Sequence, residues 1–555
     1  MAIVSTLIKS FDWFTAIATL FILLTSYVFY TTHFYPTYIS PLRHIPGPPN
    51  KSKYNKRNIP FLGLFFDIIR NEAGVTFREW TEQYGSILCY NSLFNKLTVH
   101  IADPEAIHHV FGTHAYKYPK PDRVIRLMGS IIGMGLLLVE GDVHRKQRKM
   151  FSPAFSHKTV KEMVPNMSGP AQYLAKIWES RIDETESDDK TIEMNVVPEL
   201  SACTLDIIGL VGFGFDFEGL TRPGNEVVKA FDEIFSSKTA TILQFFRHYV
   251  PYYSKLPFKH NLDRMQSVQA IDRVSCQIIS EKRAQAVAAS AKGYGEVDEK
   301  KDLISIMMRA NEASEDRTLT DEDLKVQIKT FIAAGHETTS SAVTWMLHIF
   351  ATHPDVQSKV RQEFLTHIGR PASSSSTSSI SYDAINALPY LNCCIKELFR
   401  VIPPVHTTTR VATEDDVLLG YLIPKGTEIY LSPAALHKLK HVWGDDAEEF
   451  KPERWMSPSA LTEEQRLTTK CVTPDMTWAY MPFLTGPRNC IGSKVALMKI
   501  KIMLYYLLVN LEYQPVPGFK FRKSARITLR PSPGMNLIVK RFQHVDKSDS
   551  KPLNP

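Results

Sequence analysis

The run WFTAIATLFILLTSYVFY, Trp13 to Tyr30, carries no charge over 18 residues, and it constrains the chain more than any other segment. As a helix it rises about 27 Å, close to the hydrocarbon thickness of a bilayer. Trp13, Tyr27 and Tyr30 stand at its ends, where interfacial aromatics belong. A cleaved signal peptide would show a basic n-region and a small-x-small cleavage site. Neither is evident, so a signal anchor over 13–30 is expected, with residues 1–12 lumenal. Arg43, Lys51, Lys53, Lys56 and Arg57 follow the span, against Lys9 and the amino terminus before it. That bias places the bulk of the chain in the cytosol. HIPGPPN, His44 to Asn50, reads as the stiff part of a Pro-rich hinge over 31–64. On the cytosolic side Asn166-Met167-Ser168 stays unglycosylated although it matches the acceptor pattern.

Beyond the anchor the chain has the material of a large globular body. Of 555 residues, 44% are hydrophobic and 22% charged, which is enough for a sizeable core and close to the globular average. A formal net charge of +7 is modest, and no nucleic-acid motif is present. Basic residues could still form a local patch for an acidic protein or anionic lipid. Cys89, Cys203, Cys276, Cys393, Cys394, Cys471 and Cys490 are odd in number and lack zinc spacing. They argue for a reduced, cytosol-facing chain.

Most of residues 65–400 reads as helix, with short extended runs near Ile87–Ile101, Val417–Ile423, Glu428–Leu431 and Ile527–Val539. A mainly α fold with small peripheral β-sheets is predicted, one large domain over 65–543 with a tail from 544 to 555. Ala291–Lys301 and Ala372–Ser379 read as surface loops inside it. One helix stands out. Thr320 can cap a pattern that runs to Pro354, with Asp321, Glu322 and Asp323 in its first turn. Its middle holds Ala333, Ala334 and Gly335, then Glu337, Thr338 and Thr339. Polar groups inside a buried helix are costly unless satisfied or used.

Near the C-terminus, Phe483-Leu484-Thr485-Gly486-Pro487-Arg488-Asn489-Cys490-Ile491-Gly492 presents one thiol before a helix from about Ser493 to Leu508. A helix N-terminus favours a thiolate, and flanking glycines let a flat macrocycle approach. A lone cysteine is more commonly a buried structural residue, and this loop alone does not decide between the two.

Other segments do. The loop matches FxxGxRxCxG at every fixed position and resembles the haem-binding loop of the cytochrome P-450 superfamily, while the histidine-variant helix, the HRKQRK run (His144–Lys149) and the Ser-rich insert at 372–379 are similar to its fungal microsomal members. KELFR, with Glu397 and Arg400, is similar to its ExxR helix; FKPERW (Phe450–Trp455) to its PERF segment; AGHET (Ala334–Thr338) to its oxygen-activation motif. All four occur in the family's order. The resemblance implies a cytochrome P-450 fold, haem b, and oxygen insertion into a lipophilic substrate such as a terpenoid, sterol, fatty acid or aromatic. It implies Cys490 as axial iron ligand, with Phe483, Gly486, Gly492 and Ala334 shaping the haem contact. Thr338 and Glu337 would relay protons through ordered water. The rival for Thr338 is a helix-interior hydroxyl bonded back to a carbonyl. Glu397, Arg400 and Arg454 would form a scaffold triad. Arg148, Arg410 and Arg488 would meet the haem propionates. His144 stands where the family carries tryptophan; an imidazole can donate one such bond, in a way that could depend on pH.

No flavin or nicotinamide fingerprint occurs, so electrons must come from outside, by resemblance from NADPH through a membrane-bound NADPH–cytochrome reductase, with cytochrome b5 a further candidate. The run Arg145–Lys149 and the group Lys494, Lys499 and Lys501 are candidate docking surfaces for an acidic donor, or simply solvated faces. The resemblance also implies endoplasmic reticulum membrane as the location. Pocket walls would come from Tyr118–Leu138, Gly212–Thr241, Phe331, Ala334, Val405, His406 and the Pro533–Met535 turn. Leu243–Phe258, aromatic with interleaved bases, could meet the membrane interface or pack on the core. Two rival functions stay open: a haem-thiolate isomerase or dehydratase acting on a peroxide, and a non-catalytic haem-binding sensor.

Overall fold

The computed structural model describes residues 13–50, 61–186, 189–222, 224–236, 250, 252–291, 302–312, 319–371, 380–463, 465 and 469–542. The N-terminal helix α1 (Trp13–Phe29) continues as a π-helix through Tyr30–Ile39, so helical geometry extends into the segment read as hinge. Thr31 and Thr32 donate their hydroxyls back to the Tyr27 and Val28 carbonyls at 2.9 and 2.6 Å, and the rings of Tyr30 and Phe34 stack. These local bonds carry the helix past its expected end. The 25 residues Thr15–Ile39 are long and apolar enough to cross a membrane.

HIPGPPN lies against the first strand. The Cys89 amide donates to the Pro46 carbonyl at 2.8 Å, and a Cβ on Gly47 would sit 1.8 Å from the Cys89 carbonyl oxygen. Only glycine permits that approach.

Contacts gather into two compact units, Met1–Pro119 with Thr407–Leu436, and Lys120–His406 with His437–Pro555. In chain order the described strands are β1 (Ile87–Asn91), β2 (Leu97–Ile101), β3 (Thr191–Asn195), β4 (Thr408–Val411), β5 (Asp416–Leu418), β6 (Tyr421–Ile423), β7 (Glu428–Leu431), β8 (Leu511–Pro515), β9 (Arg522–Ala525), β10 (Leu529–Ser532) and β11 (Asn536–Arg541). The first unit is built on the sheet β1-β2-β7-β4, in which only β2 and β7 run parallel, Val99 opposite Ile429. Phe77, Trp80 and Tyr90 pack on it, the ring of Phe77 stacked 4.5 Å from that of Tyr430.

The second unit is helical. Its main members here are α2 (Gly141–Phe151), α3 (His157–Glu184), α4 (Val197–Phe213), α5 (Asp321–Thr352), α6 (Pro354–His367), α7 (Pro389–Val401) and α8 (Ser493–Val509). Helix α5 begins as the sequence predicts. Thr320 and Asp323 form a reciprocal capping box, the Asp323 amide donating to the Thr320 hydroxyl at 3.2 Å and the Thr320 amide to the Asp323 carboxylate at 2.9 Å. Most of α5 from Leu324 to Ala351 is buried, so it is the axis of the unit. Its outer end holds the β9–β10 hairpin: Ser341 and Trp345 both donate to the Leu529 carbonyl, at 2.6 and 2.8 Å. A second sheet, β3-β11-β8, pairs Ile538 with Glu193 and with Gln514.

The expected extended runs become β1–β2, β5–β6, β7 and β10–β11. Strands β3, β4, β8 and β9 were not foreseen, because TIEMN, TTRV, LEYQP and RKSA are short and lack a clean apolar alternation. Ser168 of the glycosylation pattern is buried inside α3 and donates to the Val164 carbonyl at 3.0 Å. Of the predicted loops, Ala291 is instead the last residue of the helix Lys259–Ala291. Residues 292–301 and 372–379 lie outside the described residues, as do 1–12 and the tail from 544 to 555.

Candidate active site

Cys490 sits at the end of a loop closed on itself. Its amide donates to the Phe483 carbonyl at 2.9 Å, and Leu484 and Gly486 both turn with positive φ, 57° and 74°. Glycine takes that conformation without cost. Gly492 then caps α8. The Cys490 side chain is exposed, and a Cβ built on Gly492 would find only Phe155 at 3.9 Å and the Cys490 sulfur at 4.0 Å, so the flank of the sulfur is open. Phe155 packs in turn on Phe331 of α5, ring centres 5.7 Å apart.

The electrostatics differ from expectation. Although the Cys490 residue is accessible at its surface, it lies deep among protein atoms, and that desolvation pushes its thiol up while the Gly492 amide and Arg148 pull it back.

Two of the predicted arginines hold this loop. Arg148 of α2 donates to the Asn489 carbonyl at 2.6 Å and to the Asn489 side-chain oxygen at 2.7 Å. Arg488 pairs with Glu140 at 2.7 Å and donates to the Val139 carbonyl at 2.9 Å. His144 is buried beside them. Burial first, then Arg488, Lys120, Arg148 and Arg145, hold its imidazole down at about 3, so the ring is neutral at any physiological pH. Arg410 belongs to the first unit, on β4, where it donates to the Thr408 hydroxyl and the Thr409 carbonyl, both at 2.8 Å, and lies over the Phe111 ring.

On α5, Ala334 is exposed in the middle of a buried helix, and Thr338, one turn on, is half-buried on the same face. The Thr338 hydroxyl donates to the Ala334 carbonyl at 2.8 Å, the very bond set against a relay role, and its lone pairs stay able to accept. Glu337 departs from expectation more sharply. It is 2% exposed, accepts from the Thr528 hydroxyl at 2.6 Å and forms an ion pair with Arg530. Its carboxylate is bound to protein groups rather than set out toward water.

The scaffold residues assemble closely. Arg400 meets Glu397 through two parallel bonds, 2.9 and 2.7 Å; the Lys451 amide and the Trp455 indole each add one at 2.9 Å; Arg454 stands 3.4 Å away and pairs with Asp446 at 2.6 Å. Glu397, Arg400 and Arg454 are all fully buried. His437 connects this cluster to the cysteine loop. Its Nδ1 donates to the Phe399 carbonyl at 3.0 Å and its Nε2 accepts the Met481 amide at 3.0 Å.

The family profile described as cytochrome P-450 matches residues 54–538. The chain belongs to the cytochrome P-450 family. It is 32% identical over 517 residues to cytochrome P-450 monooxygenase 205 of Postia placenta, covering 89% of this chain and 90% of that protein. It is 31% identical over 558 residues to a cytochrome P-450 monooxygenase of Alternaria alternata, covering 91% of each, and 28% identical over 545 residues to a ganoderic acid synthetase of Ganoderma lucidum, covering 92% and 93%. This cytochrome P-450 is accordingly a monooxygenase, an oxidoreductase whose family carries haem iron. Its residues fit that group: one accessible thiol with an open flank, an exposed small residue in α5, and arginines with a neutral imidazole beside the cysteine loop.

One docking surface is corrected. Lys494 is exposed, but Lys499 and Lys501 are buried, Lys501 donating to the Asn386 side chain at 2.8 Å. On α2, Arg145, Lys146 and Lys149 are exposed. Sequence reasoning missed Arg530, Thr528, His437 and Asp446. FKPERW pointed near Asp446, whereas nothing local marks Arg530, 193 residues from its partner.

Proposed function

We propose that this cytochrome P-450 inserts one oxygen atom of O₂ into a lipophilic substrate, a terpenoid, sterol, fatty acid or aromatic compound of fungal secondary or xenobiotic metabolism. Haem b would be the cofactor, its iron held by the Cys490 sulfur, and when bound it would supply the activation of O₂. Electrons come from NADPH through a separate flavoprotein reductase, with cytochrome b5 as a second donor. The exposed Arg145, Lys146 and Lys149 offer it a basic face. One observation carries the proposal: an accessible cysteine at the head of α8, its flank kept open by Gly492.

The other residues act around it. His144, Arg148 and Arg488 would hold the haem carboxylates; Phe483, Gly486 and Gly492 shape the loop; Ala334 leaves room on the oxygen side. Thr338, its proton committed to Ala334, accepts a hydrogen bond from water and holds that water in place. Glu337 passes a proton only when Arg530 and Thr528 release it. Glu397, Arg400 and Arg454 keep the loop rigid. The chain is anchored once in the endoplasmic reticulum membrane, by the helix that ends at Ile39, with residues 65–543 as the cytosolic catalytic domain. Exposed Tyr252, Leu256, Phe258 and Leu262 form an apolar edge suited to the membrane interface.

A reduced carbon-monoxide difference spectrum tests the ligand. The wild-type protein should give the thiolate-type Soret band and Cys490→Ala should lose it. An unchanged band in that variant would refute the assignment. Product analysis by mass spectrometry, with reductase and a panel of lipophilic compounds, then tests the reaction.

A further inference from the structure

In the interior of a helix each carbonyl already serves the amide four residues on. Three successive carbonyls of α5 take a second donor. Ala334 accepts the Thr338 hydroxyl at 2.8 Å, Gly335 accepts the Lys499 ammonium at 3.0 Å, and His336 accepts the Thr204 hydroxyl at 3.2 Å. These donors come from α5, α8 and α4 respectively. Lys499 also donates to the Thr204 carbonyl at 2.7 Å, so one buried side chain ties together three helices, including the one that follows Cys490.

The setting of Lys499 is unusual for a lysine. It is 1% exposed, and its ammonium donates to two carbonyls rather than to a carboxylate. The neighbouring acid, Asp206 of α4, spends its carboxylate on the Gly219 and Leu220 amides at 2.7 and 2.9 Å, and burial pushes it up to about 6. The other titratable groups facing Lys499 are Cys203 of α4, raised by burial, and His336 of α5, held neutral by burial, Arg530 and Lys499 itself. Desolvation brings Lys499 down to about 7, with Cys203 and Asp206 opposing it. An ammonium so placed changes charge near neutrality, where an exposed lysine does not.

We propose that Lys499 is a positioning residue for the oxygen-side turn of α5: charged, it holds the Gly335 carbonyl and the Ala334–Thr338 turn in the geometry described above, and neutral, it lets that turn relax. The physical reason is that hydrogen bonds from an ionised donor are roughly twice as strong as neutral ones. The proposal rests on Thr338 ordering water on that face.

The test uses haem-loaded ferric protein titrated between about pH 6 and 9, reading the Soret position, which reports on water at the oxygen side, and the melting temperature. Wild type should show a spectral transition with a midpoint near 7. Because the unfolded chain binds the lysine proton more tightly, its melting temperature should also rise with pH above that midpoint. In Lys499→Met the spectral transition should vanish and the rise in melting temperature should shrink to the part that Lys501, held by burial at about 8, contributes. In Asp206→Asn the spectral transition should persist at a lower midpoint, because an anion beside the amine is gone. A Lys499→Met protein that titrates like wild type overturns the proposal, as does an Asp206→Asn protein that has lost the transition or shows it unmoved. The reduced carbon-monoxide band, recorded on each variant, reports the Cys490 ligand separately, so failure of the haem reading is told apart from failure of this one.

Discussion

Glu397 and Glu337 are both buried acids, and both are held by arginine, but their surroundings set different expectations. Glu397 collects Arg400, Lys451 and Trp455 at 2.7–2.9 Å within a cluster that carries no chemistry of its own. Replacing it with glutamine leaves Arg400 charged and buried without its carboxylate, which should cost about 3–5 kcal/mol and most of the haem-loaded yield. Urea unfolding measures the loss; stability within about 1 kcal/mol of wild type would contradict the pairing. Thr338→Ala removes one hydroxyl bonded to its own helix. It should leave stability within about 1 kcal/mol while releasing peroxide in place of product; a normal product yield would count against a role in ordering water. Acid should also be felt at this scale. Burial holds His144 and His437 at about 3, against an ordinary 6.5. The unfolded chain binds their protons first, so their stabilisation is complete above 6.5 and is lost as pH falls toward 3. The melting temperature should fall across that window, and His144→Asn should make the slope shallower.

Among the elements, α5 has the most to hold together. The cap at Thr320 was legible because a hydroxyl stands directly before the helical pattern, whereas the return bond from Asp323 came with the structure; Thr320→Ala should cost about 1 kcal/mol without altering the carbon-monoxide band. The opposite holds for one buried face of the same helix. Glu337, Ser341 and Trp345 recur every four residues and bind Thr528, Leu529 and Arg530 as a strip. The helical period announces that these three share a face. It does not say that a strand nearly two hundred residues away supplies the partners. Lys499 and Lys501 show the same limit, since a charged residue in an apolar helix reads as surface until its neighbours are known.

For the molecule as a whole, the expectation is that the anchor and the haem chemistry separate. Deleting residues 1–39 should move the protein from the membrane fraction to the soluble fraction and leave the reduced carbon-monoxide band in place. Loss of the band in the soluble protein would show that the N-terminal helix supports the fold as well as the attachment. The prediction follows from the helix Thr15–Ile39 having no buried residues in its most apolar stretch.

Sequence alone determined the membrane-length helix, the mainly helical class, the family and the cysteine, because each is written in contiguous residues or in motifs a few positions wide. It also singled out Cys490, Thr338 and Glu337 as the side chains to which the proposed chemistry is assigned. Tertiary structure alone decided their states: that His144 is neutral, that Glu337 is tied to Arg530, that burial opposes ionisation of Cys490, and that Lys499 is an interior cation bridging three helices. Charge and hydrogen bonding depend on what lies within a few ångströms, and the partners of Glu337 and Lys499, like Arg148 beside Cys490 and Arg488 beside His144, arrive from distant parts of the chain.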